Sequence, residues 1–482
     1  MERKRQAFDE RRQLAETEAR GSGAAPRENN ALGRRNMNVA VLKTKAEQAL
    51  SDRFASVAGL LPGGAAVAQV RRDAISRFAT LGLPHRRVEA WKYTDLRVLL
   101  KDAIAPALGP VAEVLRADVE TALGPLAAVE AVRLVFVDGL FAPALSHQGE
   151  IEGLAVAPLS VALVVQDDAE LLQLTRGDDD AMLALNAAYV TDGLVAAVAK
   201  GVKLAKPLMI VSLRSNAEPQ LATTRNVVNV GDGAEATIIE AFVALPGAAR
   251  SGEQNAVTEI GVGKGAKVSH IKTTLAGGLH LGSWLVDVGA GADYGAFQVT
   301  AGPAVARNGL SVEFKGKDAR IDLSGVFLAR GNEHVDTTLV VDHAVPSCTS
   351  RELFKGVLED HGRGVFQGKV IVRPDAQKTD GKQMAQVLML SPEAEFDSKP
   401  ELEIYADDVV CGHGSTTADL DEDLLFYCRS RGIPVDEARA LLIESFIGEA
   451  LQKVEREDVR TAFEAVARGW LGAATPNVDK PD

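Results

Sequence analysis

The 482 residues carry 66 acidic and 53 basic side chains, a formal charge of −13, with 46% hydrophobic and 25% charged residues. That balance belongs to a folded globular chain, and the length exceeds one ordinary core, so two or three structural units are expected. The longest apolar runs, such as Val161 to Val165, fall far short of the roughly 20 residues of a membrane span, and no basic stripe with interleaved aromatics offsets the acidity, which argues against both membrane and nucleic acid.

Residues 1–36 differ in texture from the remainder: nine Lys/Arg, six Asp/Glu and GSGAAPRENN, with little apolar periodicity. They read as a disordered arm, or as a mis-assigned start ahead of Met37. From Val39 to about Leu115 the pattern is largely helical. Leu50, Phe54, Val57 and Leu61 recur at three- and four-residue steps, and Val70, Ile75, Phe78 and Leu81 at looser ones, until Gly82 and Pro84 interrupt. Val132 to Val137 reads as a strand closed by an Asp138-Gly139 turn. Leu171, Leu174, Met182, Leu183 and Leu185 return 166–190 to helix. Residues 37–195 are thus expected to form a mixed, mostly helical N-terminal part.

Between 196 and 415 the texture changes to Val/Ile/Thr-rich runs of five to seven residues separated by glycine turns. One turn recurs: Val230-Gly231-Asp232-Gly233-Ala234, Val262-Gly263-Lys264-Gly265-Ala266 and Val288-Gly289-Ala290-Gly291-Ala292, with a looser copy at 314–319. A drifting period of short strands and glycine corners favours a β-solenoid over a β-sandwich.

Residues 416–474 return to helix. Asp419 and Glu422 have capping-box spacing, and the first helix runs through Leu424, Leu425 and Cys428 to Gly432. Pro434, Asp436 and Glu437 open a second helix with Ala438, Leu441, Leu442, Phe446 and Ala450 on one face. A third spans about Val459–Trp470, and 475–482 is expected to fray.

Several chemistries lack their parts. There is no G-x-x-x-x-G-K-[ST], and the two G-x-G-x-x-A strings at Gly231 and Gly261 lie between strands, so no helix dipole would meet a phosphate. There is no G-x-S-x-G. Acid pairs such as Asp407-Asp408 fit solvated surface, and 5% aromatics supply few platforms for a carbohydrate-active solenoid enzyme. Cys348, Cys411 and Cys428 are too few to staple this chain, which points to the reducing cytoplasm. Cys348 and Cys428 read as core thiols, and His334, His343 and His361 as satisfied structural histidines. Cys411-Gly412-His413 differs: in a strand, residues two apart share a face, so thiolate and imidazole can converge on iron or zinc. With no C-x-x-C in the chain, two ligands make half a site, and the rest must come from a second protein; the alternative is a buried thiol beside a hydrogen-bonded histidine.

YADDVVCGHGSTTADLDEDLLFYCRSRGI (405–433) closely resembles the C-terminal signature of the SufB/SufD family of iron–sulfur cluster assembly subunits, and 350–372 and 399–409 extend the match. LPHRRVEAWKYTDL (83–96), VFVDGLF (135–141) and ALNAAYVTDG (184–193) resemble the SufD branch; the match runs from about Met37 to Leu451. The resemblance implies a mainly β chain, a right-handed parallel β-helix core between N- and C-terminal helical parts. It implies pairing with a SufB-like subunit and capture of a SufC-like ABC ATPase by the C-terminal helices, with no nucleotide on this chain. By position it makes His413, with Cys411 beside it, a contributor to a nascent iron–sulfur cluster or iron at the shared interface. Tyr427, Arg429, Arg431 and Gly432 become candidates for the ATPase contact. Whether a flavin binds is not decided by these motifs. Two departures stand out: Gly412 where serine is common, and Cys428, which is more usual in SufB. The SufB-like alternative would accept sulfur and carry the cluster itself. The reading is a cytoplasmic, non-catalytic SufD-like scaffold.

Overall fold

In the computed structural model, which describes residues 43–109, 113–173 and 179–472, the strand-and-corner repeat builds a parallel β-solenoid. Successive strands alternate between two ten-stranded sheets. One runs from Leu194–Val198 through strands of about ten residues to Glu395–Ile404; the other runs from Val132–Val137 and Leu208–Arg214 to Val410–Ala418. Along the stack each strand pairs in parallel with the strand two positions on. Residues at equivalent positions therefore form columns, and alternate residues face either the interior or the outer surface.

The recurrent glycine turn is the corner of each coil, and its two glycines do different work. A Cβ at Gly263 would lie 2.6 Å from the backbone nitrogen of Asp232 in the coil beneath, so the chain can pass only without a side chain. Gly265 has φ +64°, the left-handed region where glycine is unstrained. In the looser copy Asp318 takes that role at φ +61°. Backbone bonds link the corners coil to coil, Gly263 N to Val230 O at 2.8 Å and Gly265 N to Ala290 O at 2.8 Å.

Each sheet's outer face is covered. Helices α1 (Lys45–Val57), α2 (Ala65–Leu81) and α3 (Ala181–Tyr189) form a cluster that reaches Leu281 of the first sheet. Leu50, Phe54, Val57 and Leu61 are all buried in it, as their spacing predicts; Leu81 is exposed. Among the described residues of 166–190, helix is found as a 3-10 turn at Ala169–Leu172 and as α3, capped by Asp180 on the amides of Met182 and Leu183. Residues 1–36, Leu174 and 475–482 lie outside the described residues.

Trp-Lys-Tyr-Thr (91–94) is the clamp between this helical part and the solenoid. Trp91 is buried beneath the Arg307 guanidinium, 4.0 Å from its ring centroid. Arg307 donates to Asp336 at 2.6 Å and to the Ala90 carbonyl at 2.7 Å. The Thr94 hydroxyl meets both Asp336 and His334. His334 is thus committed to the clamp, and burial pushes its pKa down.

On the other sheet, three C-terminal helices follow the last strand: α4 (Glu422–Ser430), α5 (Val435–Leu451) and α6 (Glu457–Gly472). The last two return along the outer face, where Ile443, Ile447 and Phe463 join Ile271, Phe297, Val326 and Val357 in one core. Three sequence expectations need correction here. The cap of α4 is Asp421, whose side chain accepts from Leu424 N at 3.0 Å, not Asp419. Leu441 is exposed, because Ile443 and Ile447 face the sheet instead. Cys428 is only half-buried, because no residue of α4 is buried at all.

The clamp carries a stability prediction. Trp91→Ala removes a buried indole and its contact with the Arg307 guanidinium, and should cost about 3 kcal/mol. Urea unfolding followed by circular dichroism measures this; a loss below 1 kcal/mol would show that the motif does not hold the two parts together.

Candidate functional site

Cys411 and His413 both lie on Val410–Ala418, the last strand of its sheet. Cys411 pairs with Gly381 and His413 with Gln383. Gly381, Gln383 and Ala385 are buried while Lys382 and Met384 between them are exposed, so Cys411 and His413 occupy the interior-facing column. The predicted shared face is therefore present, but with no further strand stacked above it Cys411 is half-buried and His413 exposed.

The local sequence fits this placement. Cys411 Sγ lies over Gly381, 3.7 Å from where a Cβ would sit, an ordinary van der Waals distance. Gly412 faces the other way into open space, and a serine would fit equally well. Burial pushes the Cys411 thiol up, the charges of Asp380 and Glu352 add to this, and the Gly381 backbone opposes it. Free of a metal, Cys411 is a protonated thiol at neutral pH. Among the described residues no three His, Cys, Asp or Glu side chains are gathered closely enough to hold a metal ion.

The other candidates separate cleanly. Cys348 is fully buried, its thiol pushed up by burial. His343 is buried inside the solenoid between Ser350 and Thr379, its pKa lowered by burial to about 4, and His361 is exposed on a turn. On α4, Tyr427 and Arg429 are exposed, and Arg431 lies 4.9 Å from the Tyr427 ring centroid. Gly432 ends the helix at φ +84°. Arg431 therefore stacks on Tyr427 rather than capping carbonyls. The sequence reading passed over Phe426, which is 72% exposed beside Leu424 at 51% and Tyr427 at 55%. An apolar Leu-Leu-Phe-Tyr run on a short helix was the available signal.

Charged residues inside the solenoid were also missed. Glu240 accepts from Trp284 and Thr258, both at 2.9 Å, and meets His270 at 2.6 Å; His270 in turn meets Tyr294 at 2.9 Å. Burial alone would raise the Glu240 pKa, but His270 and Lys272 outweigh it and hold it low. Lys272, lowered by burial to about 8, donates to Asn308 at 2.8 Å. This network is paired throughout and fixes the core. Glu352 is different. It lies on the same inward column as Gln383 and His413, is 3% exposed, and neither carboxylate oxygen has a hydrogen-bond partner. Burial pushes its pKa up to about 8.

Residues 213–446 match the family described as SUF system FeS cluster assembly, SufBD core domain, and residues 44–210 match the SufBD protein N-terminal region. The iron–sulfur cluster assembly protein SufD of Escherichia coli is 33% identical over 389 residues, 79% of this chain and 87% of that protein. The chain belongs to the SufBD family. Within that family it is most like SufD. An iron-sulfur cluster assembly SufBD family protein of Synechocystis is 30% identical over 80% of this chain and 86% of its own length. The SufD of Bacillus subtilis is 26% identical over 60% of this chain and 66% of its own length. The SufBD chain described here is thus an iron–sulfur cluster assembly protein. Among its described residues no helix is long and apolar enough to cross a membrane.

Proposed function

We propose that this SufBD chain is a cytoplasmic scaffold subunit, without catalysis of its own, that pairs with a SufB-like subunit and a SufC-like ABC ATPase. Nascent clusters form where the two solenoids meet, and the iron and sulfide there are substrate. The observation that supports this most is the placement of Cys411 and His413 on the inward face of an exposed terminal strand. A half-site at an unpaired edge is suited to completion by another chain, and three cysteines in all are too few for a self-contained cluster.

Each residue has a stated part. His413 supplies an imidazole nitrogen from an exposed position, open to a metal held by the partner. Cys411 contributes sulfur once a metal displaces its proton. Leu424, Phe426 and Tyr427 form the exposed face of α4 toward the ATPase, with Arg429 and Arg431 at its rim and Gly432 closing the helix. Since α4 follows the site strand after only three residues, Asp419 to Asp421, movement of an ATPase pair docked on α4 reaches Cys411 and His413 directly and gates their access to iron.

Two outcomes follow. His413→Ala should leave the three-component complex intact yet lower cluster maturation in cells at least tenfold, with Cys411→Ser milder; normal maturation by His413→Ala removes the metal role. Arg431→Glu should weaken ATPase capture at least tenfold without changing the thermal midpoint, as read by surface plasmon resonance. Undiminished capture would place the docking surface elsewhere.

A further inference from the structure

The interior column that ends at His413 continues inward through Gln383 to Glu352. At about 4.8 Å per strand, Glu352 lies roughly 10 Å inside the open edge. Its carboxylate is enclosed, and both oxygens lack a hydrogen-bond donor. The nearest side-chain donor is the Ser350 hydroxyl, whose influence on Glu352 is smaller than that of burial. The Ser350 hydroxyl, two residues back on the same face, is shared with His343 at 3.1 Å. Gln383 points its amide nitrogen away, donating to the carbonyls of Gly368 at 3.3 Å and Glu401 at 3.2 Å. Those two bonds set the orientation of the amide and leave Gln383 Oε1 as a third buried oxygen without a partner. Gly368 allows this, since a Cβ there would lie 2.1 Å from Gln383 Oε1.

Three buried acceptor oxygens at adjacent register positions, none within an ordinary hydrogen bond of a donor, are costly to an apolar core. The Glu240 network, a few coils away in the same interior, shows how this solenoid otherwise treats a buried acid: with a histidine, an indole and a hydroxyl. Glu352 has no such set. Oxygen donors from a carboxylate and an amide carbonyl suit a hard or borderline divalent cation whose remaining positions are filled by water.

We infer that Glu352 and Gln383 Oε1 form an inner divalent-cation site, one step inside the Cys411–His413 edge, that holds ferrous iron before it reaches the edge. The cation supplies the missing counter-charge to Glu352 and is reached through the uncapped end of the solenoid, past the half-buried Cys411. Binding involves no electron transfer: the ion exchanges water for the carboxylate and amide oxygens, and any proton on Glu352 leaves to solvent. Only the identity of the ion as iron rests on the cluster-assembly reading; the site itself rests on the orphaned oxygens.

The test uses the full-length purified chain and Mn2+ as an oxygen-seeking stand-in for ferrous iron, with bound ion counted by electron paramagnetic resonance at pH 7.5. The wild type should bind one Mn2+ at a site that Glu352→Gln weakens at least tenfold, while Cys411→Ser and His413→Ala change it less than threefold. The same titration followed by thermal unfolding should show Mn2+ raising the midpoint of the wild type and not of Glu352→Gln. Because that variant is isosteric and places no charge in the interior, it should fold, which its midpoint without metal checks. Absence of binding by the wild type overturns the inference. So does equal binding by Glu352→Gln, which means surface sites only, or loss confined to Cys411→Ser, which puts the ion on the thiol. Failure here leaves the His413 test standing, and failure of the His413 test leaves this one standing.

Discussion

Backbone hydrogen bonding between stacked coils is the constraint on which the rest of this molecule depends. A parallel solenoid satisfies each strand with the one beneath and the one above, so the last strand of each sheet is paired on one edge alone. Both sheets are closed at their first end by short antiparallel strands, Leu140–Phe141 and Leu154–Pro158. At the other end Glu395–Ile404 and Val410–Ala418 are the outermost strands, and the chain leaves as helix instead of folding back over them. The interior column therefore opens to solvent where Cys411 and His413 sit. An edge that most folds would cover is here where the two side chains of the proposed site stand.

Helices α1 to α3 act on the first sheet, whereas Arg116–Leu123 and the C-terminal helices share the core on the second. The N-terminal part is held by Trp91, Thr94, Arg307, Asp336 and His334, a compact set of buried charges that would be costly to separate. The C-terminal part is held by apolar contact along α5 and α6, with Phe297 stacked on Phe463 at 6.0 Å. Only α4, between the site strand and α5, buries none of its residues. A helix that buries none of its residues therefore follows directly on the strand of Cys411 and His413.

Much of this was legible in the sequence because glycine spacing reports backbone geometry directly. Gly231, Gly263 and Gly289 mark close approaches between coils, and Gly233, Gly265 and Gly291 mark left-handed corners, so the solenoid could be read from letters alone. The shared face of Cys411 and His413 followed from the two-residue period of a strand. The exposure of His413 did not, since exposure depends on whether another coil follows. The α4 cap moved from Asp419 to Asp421 because both positions offer an acid, and only the exit direction of the chain selects one. Glu352 was hidden for a different reason. It stands beside Arg351 in a stretch that reads as ordinary charged surface, and only the register that aligns it with Gln383 reveals an interior position.

The central claim is that the exposed terminal strands become an internal, metal-holding interface when a second solenoid subunit joins. Hydrogen exchange of residues 395–404 and 410–418, measured by mass spectrometry with and without a SufB-like subunit, tests this most directly. The account predicts fast exchange across both strands in the chain alone and at least tenfold protection in the complex. Exchange unchanged at both strands, with protection confined to α4 or to the N-terminal helices, would contradict it.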